Sequence, residues 1–237
     1  MTRTSVVGPR GELPQGTEKR RAVEAMFDRV APGYDRMNRI ISLGLDTRWR
    51  RRTIAALDLA PGARVLDLAC GTGDFSADLR AAGHRPVGVD LSAGMLSAAR
   101  GTTPLARADA AVLPFPDTAF DAVVCGFALR NFVDLGAVLR DCARVLRPGG
   151  AVGALDAAVP ERALLRAGNA VWFRGAVPLL GRLLSRDPEA YRYLPASTAY
   201  LPEPEDLVEL FGQAGFDGVK RTTMTGGSVQ LLVGTRR

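Results

Sequence analysis

Lysine, histidine and cysteine are scarce in this chain, and each scarcity narrows the functions open to it. Of 31 basic residues only Lys19 and Lys220 are lysines, and His84 is the single histidine. It lies in the polar "AAGHRP" turn after the first crossover helix, at the wrong end of the sheet for chemistry, so a surface residue is expected rather than a catalytic base or a metal ligand. Cys70, Cys125 and Cys142 fit neither a disulfide framework nor metal-ligand spacing, so the expectation is no metal and a reducing, cytoplasmic setting. Aromatic residues make up 6% of the chain. Despite a net charge of +6 there is one short basic cluster, "RWRRR" at 48–52, and no run of interleaved aromatics of the kind that stacks nucleic-acid bases. That cluster reads as a solvated helix face, and no nucleic-acid partner is expected. No run reaches the roughly 18 apolar residues of a membrane span. The opening stretch "MTRTSVVGPRGELPQ" has neither periodicity nor a signal-peptide core, so residues 1–16 read as a flexible N-terminus.

What is present is an alternation of short apolar runs with helical patterns across residues 17–237. "ARVLDLACGTGDFSADLRAAG" reads as strand, Gly-containing turn and helix. "RPVGVDLSAGMLSAAR" repeats the theme, with a strand ending at Asp90 and Ser92 as the helix N-cap. A third short strand lies in "PLARADA" and a fourth in "FDAVVCG". Leu135, Val138, Leu139, Cys142 and Leu146 share one helical face, after which "RPGG" turns the chain into the strand "AVGALDA". This order predicts an α/β fold with a doubly wound, mostly parallel seven-stranded sheet, closed by an antiparallel hairpin from Phe216–Thr223 and "SVQLLVGTR". Residues 17–58 predict helices ahead of the first strand, and 160–200 predict a mostly helical insertion acting as a lid.

Ligands of open α/β sheets sit at the carboxyl ends of the strands. The turn "DLACGTGD" lies there, with Gly71 and Gly73 free to adopt angles and ligand approaches that a Cβ would block. A dinucleotide fold is the rival, but it wants a glycine where Ser76 stands, and Asp74 at the head of the helix would repel a pyrophosphate. A ligand with a cationic centre suits the turn better. Asp90, seventeen residues after Gly73, can accept from two ribose hydroxyls, and Asp109 can accept from an exocyclic adenine amine. Each acid alone could be a surface cap. Together Asp67, Gly71, Gly73, Asp90 and Asp109 at successive strand ends resemble the class I S-adenosylmethionine-dependent methyltransferases.

Two longer blocks, "MFDRVAPGYDRMNRIISLGLDTRW" (26–49) and "LRNFVDLGAVLRDCARVLRPGG" (129–150), resemble the signatures of the quinone-biosynthesis C-methyltransferases, which methylate demethylmenaquinol or the ubiquinol precursor. The C-terminal stretches "YRYLPASTAYLPEPEDLVELFGQAGF" and "TGGSVQLLVGTR" resemble the same family. The resemblance implies S-adenosylmethionine as cofactor. It implies cofactor contacts at Thr72, Asp90, Asp109, Ala110 and Gly126, the last being usually serine in the family. It also implies a lipophilic quinol or phenol as substrate, with demethylmenaquinol first. Peripheral contact with the inner face of the membrane and a homodimer stand as open expectations. The chain departs from the family pattern at Asp46, where histidine is usual, and at "LDAAVP", where a Glu-Phe-Ser-like stretch is usual. A paralogue acting on another phenolic or polyketide-like ring is therefore the alternative, and a non-catalytic S-adenosylmethionine-binding subunit a second.

Arg130 and Asn131 lie between Leu129 and Phe132, directly after the fourth strand. Arginine stays protonated and cannot be a conventional base. It can hold a developing phenolate or orient a water, with Asn131 fixing the geometry. The competing reading is an Arg130–carboxylate pair that ties the turn to the N-terminal helices. Tyr34, Met37 and Ile41 share one face of a helix. Either they pack the lid on the sheet, or Tyr34 lies near the substrate. The insertion carries Trp172, Phe173, Leu179, Leu180, Leu183 and Leu184, interrupted by Arg166, Arg174, Arg182 and Arg186. Core packing of the lid is the default expectation there, and an apolar entrance resting on a membrane surface the second.

Overall fold

The structure, a computed structural model, describes residues 13–184 and 187–237. Most of the expected flexible N-terminus, Arg186, and the side chains of Arg174, Leu183 and Leu184 lie outside the described part. Three helices precede the sheet: α1 (Gly16–Val30), α2 (Tyr34–Ile41) and α3 (Asp46–Ala56). The alternating core follows as β1 (Arg64–Leu68), α4 (Asp74–Ala81), β2 (Arg85–Asp90), α5 (Ala93–Ala98), β3 (Leu105–Arg107), β4 (Phe120–Gly126), α6 (Leu135–Val145) and β5 (Leu146–Ala157). The insertion comprises α7 (Ala163–Val171), a π-helical stretch Trp172–Ala176, α8 (Val177–Leu184) and α9 (Pro188–Ser197). Then come α10 (Pro204–Gln213), β6 (Phe216–Met224) and β7 (Val229–Arg236).

The seven strands form one sheet in the order β3-β2-β1-β4-β5-β7-β6. β1 to β5 pair in parallel, and β7 runs antiparallel between β5 and β6. The order reverses beside β1, so the β1 and β4 carboxyl ends flank the crevice where such sheets bind ligands. Val65, Leu66, Val123 and Val124 are fully buried, as expected of central strands covered on both faces. One boundary differs from expectation. β5 begins at Leu146 and carries the "RPGG" residues within it, with an irregular register between Phe120/Leu146 and Ala122/Ala151. Ser92 caps α5 by accepting from Met95 N at 3.0 Å, and Asp134 caps α6 by accepting from Ala137 N at 2.8 Å.

The "RWRRR" cluster is only partly the solvated face expected of it. Arg48, Arg51 and Arg52 are exposed on α3, but Arg50 is buried. Its guanidinium binds Asp46 at 2.8 Å and Asp78 at 2.6 Å and lies 3.5 Å from Asp74. Asp46 is itself buried and accepts from Ser42 Oγ at 2.8 Å. Burial alone would raise the Asp46 carboxyl, but the Ser42 and Arg50 hydrogen bonds and the Arg50 and Arg39 charges hold it below the usual carboxylate range. The departure from histidine at position 46 is thus matched by a buried cation four residues on. His84 is at the amino end of β2, away from the crevice, but it is half-buried rather than exposed.

Candidate active site

The turn after β1 forms a cradle that depends on its glycines. Gly71 and Gly73 have φ of +55° and +91°, and Gly73 is the N-cap of α4. Asp90, at the end of β2, accepts from Gly71 N and from Ser92 N, both at 2.8 Å. Burial raises its carboxyl above the usual range, and these backbone hydrogen bonds oppose the shift. Around this carboxylate lies a narrow cavity of about 110 Å³, whose walls include Gly71, Asp90, Leu91, Asp109, Ala110 and Gly126. Asn131 and Phe132 close one side, and Val23, Glu24 and Phe27 of α1 form a wall from above. Asp109 accepts from Ala111 N at 3.0 Å and pairs with Arg20 of α1 at 3.0 Å.

Helix α1 is latched over this slot. Asp28 accepts from Ser92 Oγ at 2.6 Å and from Gly94 N at 2.8 Å. A Cβ at Gly94 would meet Asp28 Cα at 2.8 Å, so only glycine allows this approach. Thr72 Oγ1 donates to Asp35 of α2, a second latch. Lys19 Nζ donates to Phe132 O at 2.7 Å and lies 3.6 Å from the centre of the Tyr200 ring.

A second, larger and mostly apolar chamber of about 510 Å³ lies between α2 and the insertion. Met37, Ile41, Trp49, Phe173, Tyr191 and Leu194 contribute walls, and Arg130 is also part of its lining. Among the described residues only Tyr34 and Phe127 line both cavities. Phe127 holds φ +59°, an unusual conformation for a bulky residue and one that marks a constrained site. Its amide donates to Leu155 O at 2.6 Å and its ring lies 5.8 Å from that of Trp49. Burial pushes the Tyr34 phenol up to about 12, against the pull of the Arg130 guanidinium. At neutral pH Tyr34 is therefore a hydrogen-bond donor and not a base.

Arg130 is buried in the 3₁₀ turn Leu129–Asn131. Its Nη1 pairs with Asp156 Oδ1, its Nε donates to Ser197 Oγ at 3.1 Å, and its amide donates to Asp156 Oδ2 at 3.3 Å. The carboxylate pair expected of Arg130 thus exists, but the partner belongs to β5, and the third contact comes from α9. The guanidinium binds neither α1 nor α2, because the β4–β5 pairing brings Asp156 beneath the turn. Asn131 Oδ1 accepts from Tyr193 of α9 at 3.0 Å.

The structure brings Tyr34, Gly71, Asp90, Asp109, Ala110, Gly126, Arg130 and Asn131 to the walls of these two cavities. Thr72 and Gly73 shape the turn beside them. Asp67 and Asp74 are placed differently. Asp67 is buried under the turn, where it accepts from Ser76 Oγ at 2.7 Å and lines neither cavity. Burial pushes its carboxyl up to about 7. Asp74 turns towards Arg50 instead of the slot. Sequence reasoning did not find Phe127, Asp156, Asp28 or Ser197. Asp156 stands in the "LDAAVP" departure and could have been found as the one acid at the end of β5. Nothing local signals Phe127, whose role depends on a backbone conformation.

Residues 15–236 match the model of the ubiE/COQ5 methyltransferase family. A demethylmenaquinone methyltransferase from a Roseiflexus species (strain RS-1) is 42% identical over 95% of this chain and 98% of its own. One from Mycobacterium tuberculosis (strain H37Rv) is 42% identical over 90% of this chain and 92% of its own. Among solved structures, an S-adenosylmethionine-dependent methyltransferase from Thermotoga maritima superposes with a TM-score of 0.64 at 18% identity, over 90% of this chain and 99% of that one. Phosphoethanolamine N-methyltransferase 2 of Haemonchus contortus, bound to S-adenosylmethionine, gives 0.61 at 17% identity, over 80% of this chain and 52% of that one. The slot suits that cofactor chemically. Asp90 could accept from a ribose diol, Asp109 and Ala110 line the same slot, and the glycine turn allows close approach of a ligand to the backbone. The sheet order, the glycine cradle and the length of the family match agree: this chain belongs to the ubiE/COQ5 methyltransferase family and uses S-adenosylmethionine to transfer a methyl group.

Proposed function

We propose that the methyl acceptor is a ring carbon of reduced demethylmenaquinone, with the ring in the apolar chamber and its prenyl tail towards the insertion. The observation that carries this reading is a pair of cavities that share Tyr34 and Phe127 in their linings. A polar slot suited to a nucleoside meets an apolar chamber suited to a hydrocarbon-rich ring, and the shared wall is where the reacting atoms would meet. The names of the Roseiflexus and mycobacterial relatives support the same acceptor.

When bound, S-adenosylmethionine supplies an electrophilic methyl group on a sulfonium. The ring carbon becomes a nucleophile when its neighbouring hydroxyl gives up a proton to a water. As the C–C bond forms the neutral thioether leaves; the ring carbon then loses its own proton and the oxygen regains one, so one proton is released overall. Arg130 lines the chamber as a cation fixed by Asp156 and Ser197, so it can stabilise negative charge on the ring oxygen without reorganising. Tyr34, held protonated, donates to an oxygen of the ring. Asn131, oriented by Tyr193, and Phe127, fixed against Trp49, hold the passage between the cavities in shape. The α1 and α2 latches keep water from the slot and align donor and acceptor.

Steady-state kinetics on a panel of reduced demethylquinones with prenyl tails, tail-free naphthohydroquinones and simple phenols tests the assignment. The expected order of kcat/KM is tailed quinol above tail-free quinol above phenol. Preference for a tail-free phenol or a polyketide-like ring would overturn the acceptor and leave the methyltransferase chemistry standing.

A further inference from the structure

From α7 through α8 the insertion forms one helical run, and its outward face is apolar. Leu164, Gly168, Val171, Gly175 and Leu179 follow one another at spacings of three and four, which places them along one side. That side faces solvent: Leu164 is 84% exposed, Val171 73% and Leu179 57%, and both glycines are exposed. Another side of α7 lines the chamber through Ala163, Arg166, Ala167, Asn169 and Ala170. The outward apolar stripe is left to be covered. Among the described side chains beside it the basic ones are Arg162 and Arg182, with Glu161 the exposed acid just before α7. Arg162 and Arg182, near the two ends of the stripe, are exposed. Val159, 56% exposed, also lines the chamber, so the stripe is continuous with the chamber's edge.

We propose that this stripe rests on an anionic lipid surface, with Leu164, Val171 and Leu179 in the acyl boundary and the arginines at the headgroups. Apolar insertion and basic flanks together provide the two signals that stable interfacial binding needs. A second copy of the chain fits less well, because two such faces would set four exposed arginines, Arg162 and Arg182 of each copy, against one another. The inference rests on the acceptor reading above for its purpose, direct entry of a tailed substrate from the bilayer, but lipid binding itself can be read without substrate.

Co-sedimentation of the full chain with vesicles of phosphatidylcholine plus phosphatidylglycerol, and with phosphatidylcholine alone, tests it. Binding is expected to the mixed vesicles, weaker to the neutral ones, and weakened by salt. Leu164→Glu/Val171→Glu should lower the partition coefficient by about tenfold or more, because it removes apolar contact and reverses local charge. Both positions are exposed and line neither cavity, so the melting temperature and turnover of a tail-free naphthohydroquinone should be unchanged. Equal vesicle binding by the wild type and the double variant, or no binding by the wild type, would overturn the proposal. So would a wild-type dimer in sedimentation velocity that the double variant converts to monomer, since that would assign the face to a second copy. If the stripe binds lipid but no demethylquinol is turned over, the acceptor assignment fails and the surface assignment stands.

Discussion

Arg130 is paired with Asp156 and is proposed to act at the ring oxygen, and a simple truncation confounds the two. Arg130→Ala would leave Asp156 buried without its counter-charge, a loss typically worth about 3–5 kcal/mol. Any fall in activity would then mix unfolding with lost chemistry. The double variant Arg130→Gln/Asp156→Asn removes both charges and keeps hydrogen-bonding groups of similar size. Its stability should stay within about 1–2 kcal/mol of the wild type, while kcat per folded molecule falls about 10²–10³-fold for want of a cation at the ring oxygen. Denaturant melts and single-turnover rates on one preparation check both halves, and a double variant with near-normal kcat would reduce Arg130 to a structural pin. Asp67 gives a pH signature of its own. Its folded pKa of about 7 lies above its ordinary value of 3.8, so the folded state keeps a proton that the unfolded chain releases. Its contribution is full below about pH 4 and declines as pH rises to about 7, a loss of about 2–4 kcal/mol relative to Asp67→Asn. Urea titrations of the two proteins at several pH values measure that difference, and a difference independent of pH would contradict the buried, proton-retaining carboxyl.

At the scale of elements, α1 is the cover that the geometry places over the slot. Its residues wall the cofactor slot, and Asp28 is its latch to the start of α5. Asp28→Ala removes two hydrogen bonds, each worth about 1–3 kcal/mol to a charged acceptor. The dissociation constant for S-adenosylmethionine should rise about tenfold or more, with faster amide exchange in α1 and little change in β1 or β4; calorimetry and hydrogen exchange report both. Unchanged cofactor affinity would mean that α1 covers the slot without closing it. The elements themselves were largely legible from sequence, because hydrophobic period, the Ser92 cap and the glycine turn are local signals. The ends of β5 were less so, since "RPGG" signals a turn while the register irregularity against β4 carries those residues into the strand. What lies between elements was not legible. Arg130 and Asp156 are 26 residues apart, and Arg130 and Ser197 are 67 apart. Arg50 read as one of several solvated arginines, because only the packing of α3 on α4 brings Asp78 to it, beside Asp46 one turn earlier on its own helix.

Across the whole molecule the parts have a division of labour. The sheet's carboxyl edge holds the cofactor slot, the N-terminal helices close it, and the insertion encloses the chamber on the other side of Tyr34 and Phe127. Among the described residues no group of three or more His, Cys, Asp and Glu could hold a metal, and no helix is long and apolar enough to cross a membrane. The lining of the slot was legible where it depends on strand ends, as with Asp90 and Asp109, and illegible where it depends on two distant segments sharing a wall. The most direct test of the account is transfer of a deuterated methyl group from labelled S-adenosylmethionine to demethylmenaquinol, read by mass spectrometry with fragmentation of the ring. The account predicts a carbon-bound deuteromethyl in the naphthoquinone ring, formed from the reduced substrate and not from the oxidised quinone. Label found on oxygen, or label transferred equally well to the oxidised ring, would contradict it.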